Sequence, residues 1–150
     1  MELPKDFKEF IQLLNEKGVR YLLIGGYAIG LHGYMRTTED IDFWVEQSEQ
    51  NAKKIISALE EFYGTEFKNM TYEDFLIKDE VFRFGKFSGN IIDILTSLKE
   101  LDFNESYKKK VTYNFNGILI DLISRDDLIK NKLSTGRLKD LADVDNLPEE

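Results

Sequence analysis

The chain has 150 residues and no cysteine, which excludes disulfides and thiolate zinc sites. Its one histidine, His32, is too few for a histidine-rich metal centre. No apolar run approaches the roughly 20 residues that span a bilayer, and charge appears within the first six positions, at Glu2, Lys5 and Asp6. Neither a membrane span nor a signal peptide is therefore expected, and the cytoplasm is the default location. Positive charge is also short: 20 Lys and Arg against 28 Asp and Glu leave a net charge of -8. That balance argues against broad binding to nucleic acid, which depends on basic surface to release counterions from phosphates. Local basic patches remain at Lys108-Lys109-Lys110 and at Lys130, Lys132, Arg137 and Lys139, although charge runs are usually solvated faces. Repeats and low-complexity segments are absent. With 42% hydrophobic and 32% charged residues, the composition suits one domain over residues 1–150 and is too short for two sizeable ones.

The most informative segment is Gly25-Gly26, directly after the apolar run Tyr21-Leu22-Leu23-Ile24 and followed by Asp40-Ile41-Asp42-Phe43. A strand ending in two glycines lets a phosphate approach the backbone, and the start of the next helix favours an anion. Asp40 and Asp42, at i and i+2 of a second strand, point from one face among apolar neighbours. Two like charges side by side there cost repulsion and desolvation unless a cation joins them. Oxygen-only donors suit Mg²⁺, and two ions about 3.5–4 Å apart could share them; Mn²⁺ is an expected substitute. The plainer alternative has Asp40 capping a turn and Asp42 facing solvent. Asp93 sits alone inside Ile91-Ile92-Asp93-Ile94-Leu95, which otherwise reads as a buried strand. Beside the Asp40/Asp42 strand it would complete the metal cage or take a proton from an attacking hydroxyl. On an edge strand it would simply face water.

Periodicity supplies the frame. Pro4 to Lys17 predicts a helix through Phe7, Phe10, Ile11 and Leu14, stopped by Gly18. Val19 to Ile24 and Ile41 to Val45 predict strands, with a short helix from the glycines to about Gly33 between them. Ala52, Ile55, Ile56, Leu59 and Phe62 form the apolar stripe of a helix that packs on the sheet. Val81 to Phe87 and Ile91 to Leu95 flank Ser88-Gly89-Asn90 as one hairpin, and Val111 to Phe115 and Ile118 to Ile123 flank Asn116-Gly117 as another. Ser124, with Asp127 three residues on, opens a helix to about Leu133. Gly136 breaks it before a last helix that ends ahead of Pro148. The expected fold is an α/β domain with a mixed, largely antiparallel sheet covered by helices.

These residues resemble the nucleotidyltransferase superfamily of the DNA polymerase beta type, whose pattern is Gly-Gly or Gly-Ser, a spacer, Asp-x-Asp between apolar residues, and a later single Asp in an apolar strand. The stretches from Ile24 to Asp42 and from Leu128 to Val144 are similar to the small bacterial AbiEii and minimal-nucleotidyltransferase branches; one departure is Leu138, where related tails often have proline. The resemblance implies transfer of a nucleoside monophosphate from a nucleoside triphosphate to a hydroxyl on tRNA, a protein or a small molecule, and a role as a toxin–antitoxin or resistance component. It implies Asp40, Asp42 and Asp93 as catalytic and metal-binding residues, and Gly25, Gly26, Arg36 and Lys132 at the nucleotide. Thr38, Arg137 and Asp140 are secondary candidates. Arg36 suits phosphate but could equally hold the Asp40 loop by an ion pair, and Asp140 could be a surface carboxylate paired with Arg137 or Lys139. His32 reads as a helix-end packing residue and Trp44 as core. So short a chain has little room for acceptor-binding helices, which points to a partner protein or a homo-oligomer. The alternative is a catalytically weak nucleotide-binding or regulatory module on the same fold.

Overall fold

The computed structural model describes residues 1–64, 67–86 and 88–149. Its elements in chain order are α1 (Lys5–Glu16), β1 (Tyr21–Ile24), α2 (Gly25–Leu31), β2 (Asp40–Val45), α3 (Glu49–Tyr63), a 3-10 turn (Tyr72–Leu76), β3 (Val81–Gly85), β4 (Ile91–Leu95), α4 (Phe103–Lys108), β5 (Val111–Phe115), β6 (Ile118–Leu122), α5 (Arg125–Thr135) and α6 (Leu138–Asn146). The strands form one six-stranded sheet in the order β3-β4-β2-β1-β6-β5. Pairing is antiparallel at β3/β4, β2/β1 and β6/β5, and parallel at β4/β2 and β1/β6. A mixed, largely antiparallel sheet flanked by helices is thus what the sequence predicts.

Alternation along the strands divides the sheet into two faces. Phe43 on β2 meets Tyr21 of β1 and Phe10 of α1, and Phe10 meets Phe62 of α3. On the same face Phe82 and Phe84 of β3 pack on Phe75 and Tyr63. The edge-on contacts among these, Phe43–Tyr21, Phe10–Phe62 and Phe82–Phe75, add roughly 0.5–1.5 kcal/mol each beyond the burial of apolar area. The opposite face carries Asp40, Asp42 and Trp44. Trp44 is covered by Phe103 of α4 in an edge-on contact, so α4 closes one end of this face and leaves the carboxylate end open.

Both hairpins form where expected, although Phe87, included in the first, lies outside the described residues. Gly18 and Gly136 stop α1 and α5 with φ of 71° and 69°, and the Ser124 hydroxyl accepts the Asp127 amide at the start of α5. The strand expected from Val19 begins only at Tyr21, because the preceding backbone is fastened to a side chain. Buried Asn51 accepts the Arg20 amide at 2.7 Å and donates to the Arg20 and Glu46 carbonyls. The 3-10 turn and α4 are additions to the elements that periodicity predicts. Lys108-Lys109-Lys110 is not a free basic patch, since the three amines pair with Glu105, Asp127 and Asp121. Among the described residues, no helix is long and apolar enough to cross a membrane.

Candidate active site

A row of side chains crosses the open face in strict register. Arg83 of β3 stands opposite Asp93 of β4, Asp93 opposite Asp42 of β2, and Asp42 opposite Ile24 at the end of β1. Asp40, two residues earlier on β2, points the same way. Asp93 is on an interior strand and 5% exposed, so the edge-strand alternative is ruled out. The parallel β2/β4 pairing is what brings the three carboxylates together.

Chain reversal at β1 is equally tight. Gly25 adopts φ 72°, a left-handed conformation, and a Cβ on it would fall inside the Asp42 carboxylate. A Cβ on Gly26 would lie 3.0 Å from Thr38 Oγ1 and 3.2 Å from Arg36 Nη1. The two glycines therefore make room for side chains of this protein: Asp42 lies against the first, and Thr38 and Arg36 against the second.

The acids form one charged cluster. Burial, then the charge and hydrogen bonding of Asp93, then the charge of Asp40 push Asp42 up to about 7, against a smaller opposing effect from Lys132. At neutral pH Asp42 thus shares in holding a proton where a cation would serve equally well. Arg83 supplies part of the missing charge: its Nε and Nη2 donate to the two Asp93 oxygens at 2.9 and 3.0 Å, and Nη2 also reaches Asp40 Oδ2 at 3.1 Å. Among the described residues no three His, Cys, Asp or Glu side chains are arranged as a finished metal cage. The donor chemistry nonetheless fits a hard cation, being carboxylate oxygen throughout with one member carrying a raised proton affinity.

A second network closes the cleft from the side. Arg36 donates to both Asp143 oxygens, from Nε at 2.7 Å and Nη2 at 2.9 Å. Buried Lys132 bridges Asp140 and Asp143 at 3.0 and 3.1 Å, while Thr135 and Arg137 donate to Asp140 Oδ2. Burial alone would raise Asp140, but the hydrogen bonds from Thr135, Lys132 and Arg137 outweigh it and hold the carboxyl down at about 2. Burial of Asp143 is likewise outweighed by Arg36 and Lys132, leaving it below the usual range. Asp140 is 1% exposed, so it is an internal tie between α5 and α6 rather than a surface carboxylate. Arg36 takes the ion-pair alternative in this structure, with the α6 carboxylate Asp143 as its partner. His32, half-buried, bonds the Ile123 carbonyl through Nε2 at 2.7 Å, and Trp44 is core.

All ten candidate residues line one cleft of about 420 Å³: Gly25, Gly26, Arg36, Thr38, Asp40, Asp42, Asp93, Lys132, Arg137 and Asp140. Arg83, Ser97, Lys99, Asn131, Thr135 and Lys139 join them. Six of the lining side chains are cationic and four acidic, and with Asp143, which pairs with Arg36 and Lys132 from behind the lining, the local charge is close to balance although the chain as a whole carries -8. A larger hollow of about 600 Å³ opens at the other end of β1, beside Gly18 and Tyr107. There Lys110 and Asp121 neutralise each other at 2.9 Å, and among the described residues Glu16 is the one other carboxylate in the lining. Sequence reading overlooked Arg83 and Asp143. Counting back across a Ser88-Gly89-Asn90 turn would place Gly85 opposite Asp93; the sheet instead pairs Gly85 with Ile91 and so Arg83 with Asp93, whereas Asp143 lies one helical turn after Asp140.

The family model described as "Nucleotidyltransferase of unknown function (DUF6036)" matches residues 2–147. The chain belongs to this nucleotidyltransferase family. No curated protein matches it. Solved structures share the fold at low identity. A candidate nucleotidyltransferase from Thermotoga maritima is 17% identical with a TM-score of 0.56, over 90% of this chain and 85% of that one. An antigenic nucleotidyltransferase-like protein from Paracoccidioides brasiliensis is 17% identical with a TM-score of 0.57, over 93% and 72%. The antibiotic-resistance factor ANT(2'')-Ia is 11% identical with a TM-score of 0.57, over 95% and 80%. The carboxylate row of this nucleotidyltransferase accordingly sits in a fold shared with other members of the activity class.

Proposed function

We propose that the cleft moves a nucleoside monophosphate from a nucleoside triphosphate to a hydroxyl acceptor, with Mg²⁺ held by Asp40 and Asp42. The observation that carries this reading is the in-register Asp42–Asp93 pair with Asp40 on the same face, open to a cleft rimmed by cations. When bound, the metal supplies charge neutralisation on the phosphates. The chain's own residues do the rest. Arg137, Lys139 and Lys99 attract the triphosphate into the cleft, and Asp93 takes the proton of the acceptor hydroxyl as it attacks the α-phosphorus in line and pyrophosphate leaves. Lys132 and Arg36 act mainly by holding α5 and α6 against the Asp40 loop, which keeps the walls at a set distance from the acids.

The acceptor is a tRNA, a protein or a small molecule. A toxin or resistance role is the finer reading, motivated by the AbiEii-like stretches from Ile24 to Asp42 and from Leu128 to Val144, which face each other across the cleft. A second reading, a nucleotide-binding module with weak or no turnover, draws on one observation: both oxygens of Asp93 are engaged by Arg83. The deciding experiment incubates the protein with α-labelled nucleoside triphosphates, Mg²⁺ and cell extract. Label transferred to a discrete product, and lost in Asp42→Asn, supports transfer. A Mg²⁺-dependent rise in melting temperature on adding nucleotide, with no labelled product from any extract, supports the module. A nucleotide effect that is equal with and without Mg²⁺ counts against both.

A further inference from the structure

Two ion-pair networks border the acids, and they differ in kind. Lys132 is 8% exposed and its partner Asp140 1%, so that bond is sealed and costly to break. The Arg83 side chain is 61% exposed although the side chain of its partner Asp93 is only 7%. It projects from β3, an edge strand, into the mouth of the cleft. Its guanidinium keeps its charge at any working pH and engages both Asp93 oxygens together with one oxygen of Asp40. While it does so, Asp93 is engaged as neither a ligand nor a base. Exposed ion pairs are weak, so Arg83 can exchange readily where Lys132 cannot.

We propose that Arg83 is an exchangeable counter-ion: it holds Asp40 and Asp93 together in the ligand-free protein, withdraws when a divalent cation held by Asp40 and Asp42 takes its place, which frees Asp93 to act as base, and then positions the substrate polyphosphate from the cleft mouth. The inference rests on the reading of the cleft as a metal-dependent nucleotide site. It assigns Arg83 opposite effects on two ligands, because the residue competes with the metal and assists the phosphates. A merely structural ion pair would move neither affinity selectively.

The test is a pair of titrations on Arg83→Gln, with Arg83→Lys as a second variant that keeps the charge if the first does not fold. Mn²⁺ alone, followed by its paramagnetic signal, should bind Arg83→Gln roughly fivefold more tightly than wild type, the scale of an exposed ion pair. A non-hydrolysable triphosphate analogue at saturating Mg²⁺ should bind it about tenfold more weakly, the scale of a lost charge-assisted contact. Arg83→Lys, which lacks the planar fork, should shift both affinities in the same senses by less. Unchanged or weaker Mn²⁺ binding, or an unchanged analogue affinity, in a variant whose wild type binds both ligands, overturns the role of Arg83 alone. Failure of the wild type to bind either ligand overturns the nucleotide-site reading and this inference with it.

Discussion

Asp42→Asn should stabilise the metal-free protein at alkaline pH while abolishing nucleotidyl transfer. In the folded chain Asp42 is raised from its ordinary value of 3.8 to about 7. A carboxyl raised on folding binds its proton more tightly in the native state. Its contribution is therefore favourable relative to the ionised form at low pH and is lost as pH climbs from about 4 through 7. Above pH 7 the ionised group costs the fold roughly 4 kcal/mol as an upper figure, at 1.36 kcal/mol for each tenfold change in proton affinity. Asn is nearly isosteric, so it clears Gly25 as Asp does, and its amide can donate to Asp93 as the protonated carboxyl would. The variant thus mimics protonated Asp42 at every pH. Because Asp93 relaxes when its neighbour is neutral, a gain of about 1–3 kcal/mol at pH 8 is expected, shrinking to roughly two-fifths of that at pH 5 and vanishing only below about pH 4. Urea unfolding of both proteins in chelator at the two pH values measures the difference directly, and other titrating groups cancel in the comparison. Equal destabilisation at both pH values would refute the reasoning and identify Asp42 as part of a hydrogen-bond network that Asn cannot serve. Addition of Mg²⁺ at pH 8 should stabilise wild type and leave Asp42→Asn nearly unmoved.

Gly25→Ala combines a positive φ with a methyl inside the Asp42 carboxylate, so a loss of at least about 2 kcal/mol in chemical denaturation is expected. Asp143→Ala strands Arg36 and leaves the buried amine of Lys132 with Asp140 alone and should cost about 3–5 kcal/mol, whereas Arg137→Ala, at a side chain 72% exposed, should cost under about 1 kcal/mol; a reversed order would disprove the internal tie. Asp140 and Asp143 are both depressed on folding, so their contribution is complete above about pH 4 and is lost as pH falls below the ordinary carboxylate range, toward about 2 for Asp140; an acid-unfolding curve should be shallower in Asp143→Asn than in wild type. If Asp93 removes the acceptor proton, Asp93→Asn should keep near-normal Mg²⁺-nucleotide affinity and lose roughly 10²–10⁴-fold in transfer rate. A parallel fall in affinity and rate would make it chiefly a metal ligand.

Much of the fold is legible in the sequence because the physics involved is local. The stripe from Ala52 to Phe62 announces α3, Ser88-Gly89-Asn90 and Asn116-Gly117 announce the hairpins, and Gly18 and Gly136 stop helices by adopting conformations that other residues avoid. The three acids are legible for a related reason, since a carboxylate inside an apolar strand has few explanations other than chemistry. The 3-10 turn from Tyr72 to Leu76 and α4 from Phe103 to Lys108 escape this reading because five or six residues span too few turns for a period to show. Tertiary structure alone decided that β4 lies parallel to β2 with Asp93 beside Asp42, that Arg83 reaches across to both Asp93 and Asp40, and that Lys132 is tied to α6. Each of those outcomes depends on contacts between segments that local rules treat separately. Strand order and the burial of an ion pair follow from how the whole chain covers its two sheet faces, and that is a minimum of the total free energy rather than a property of any single stretch.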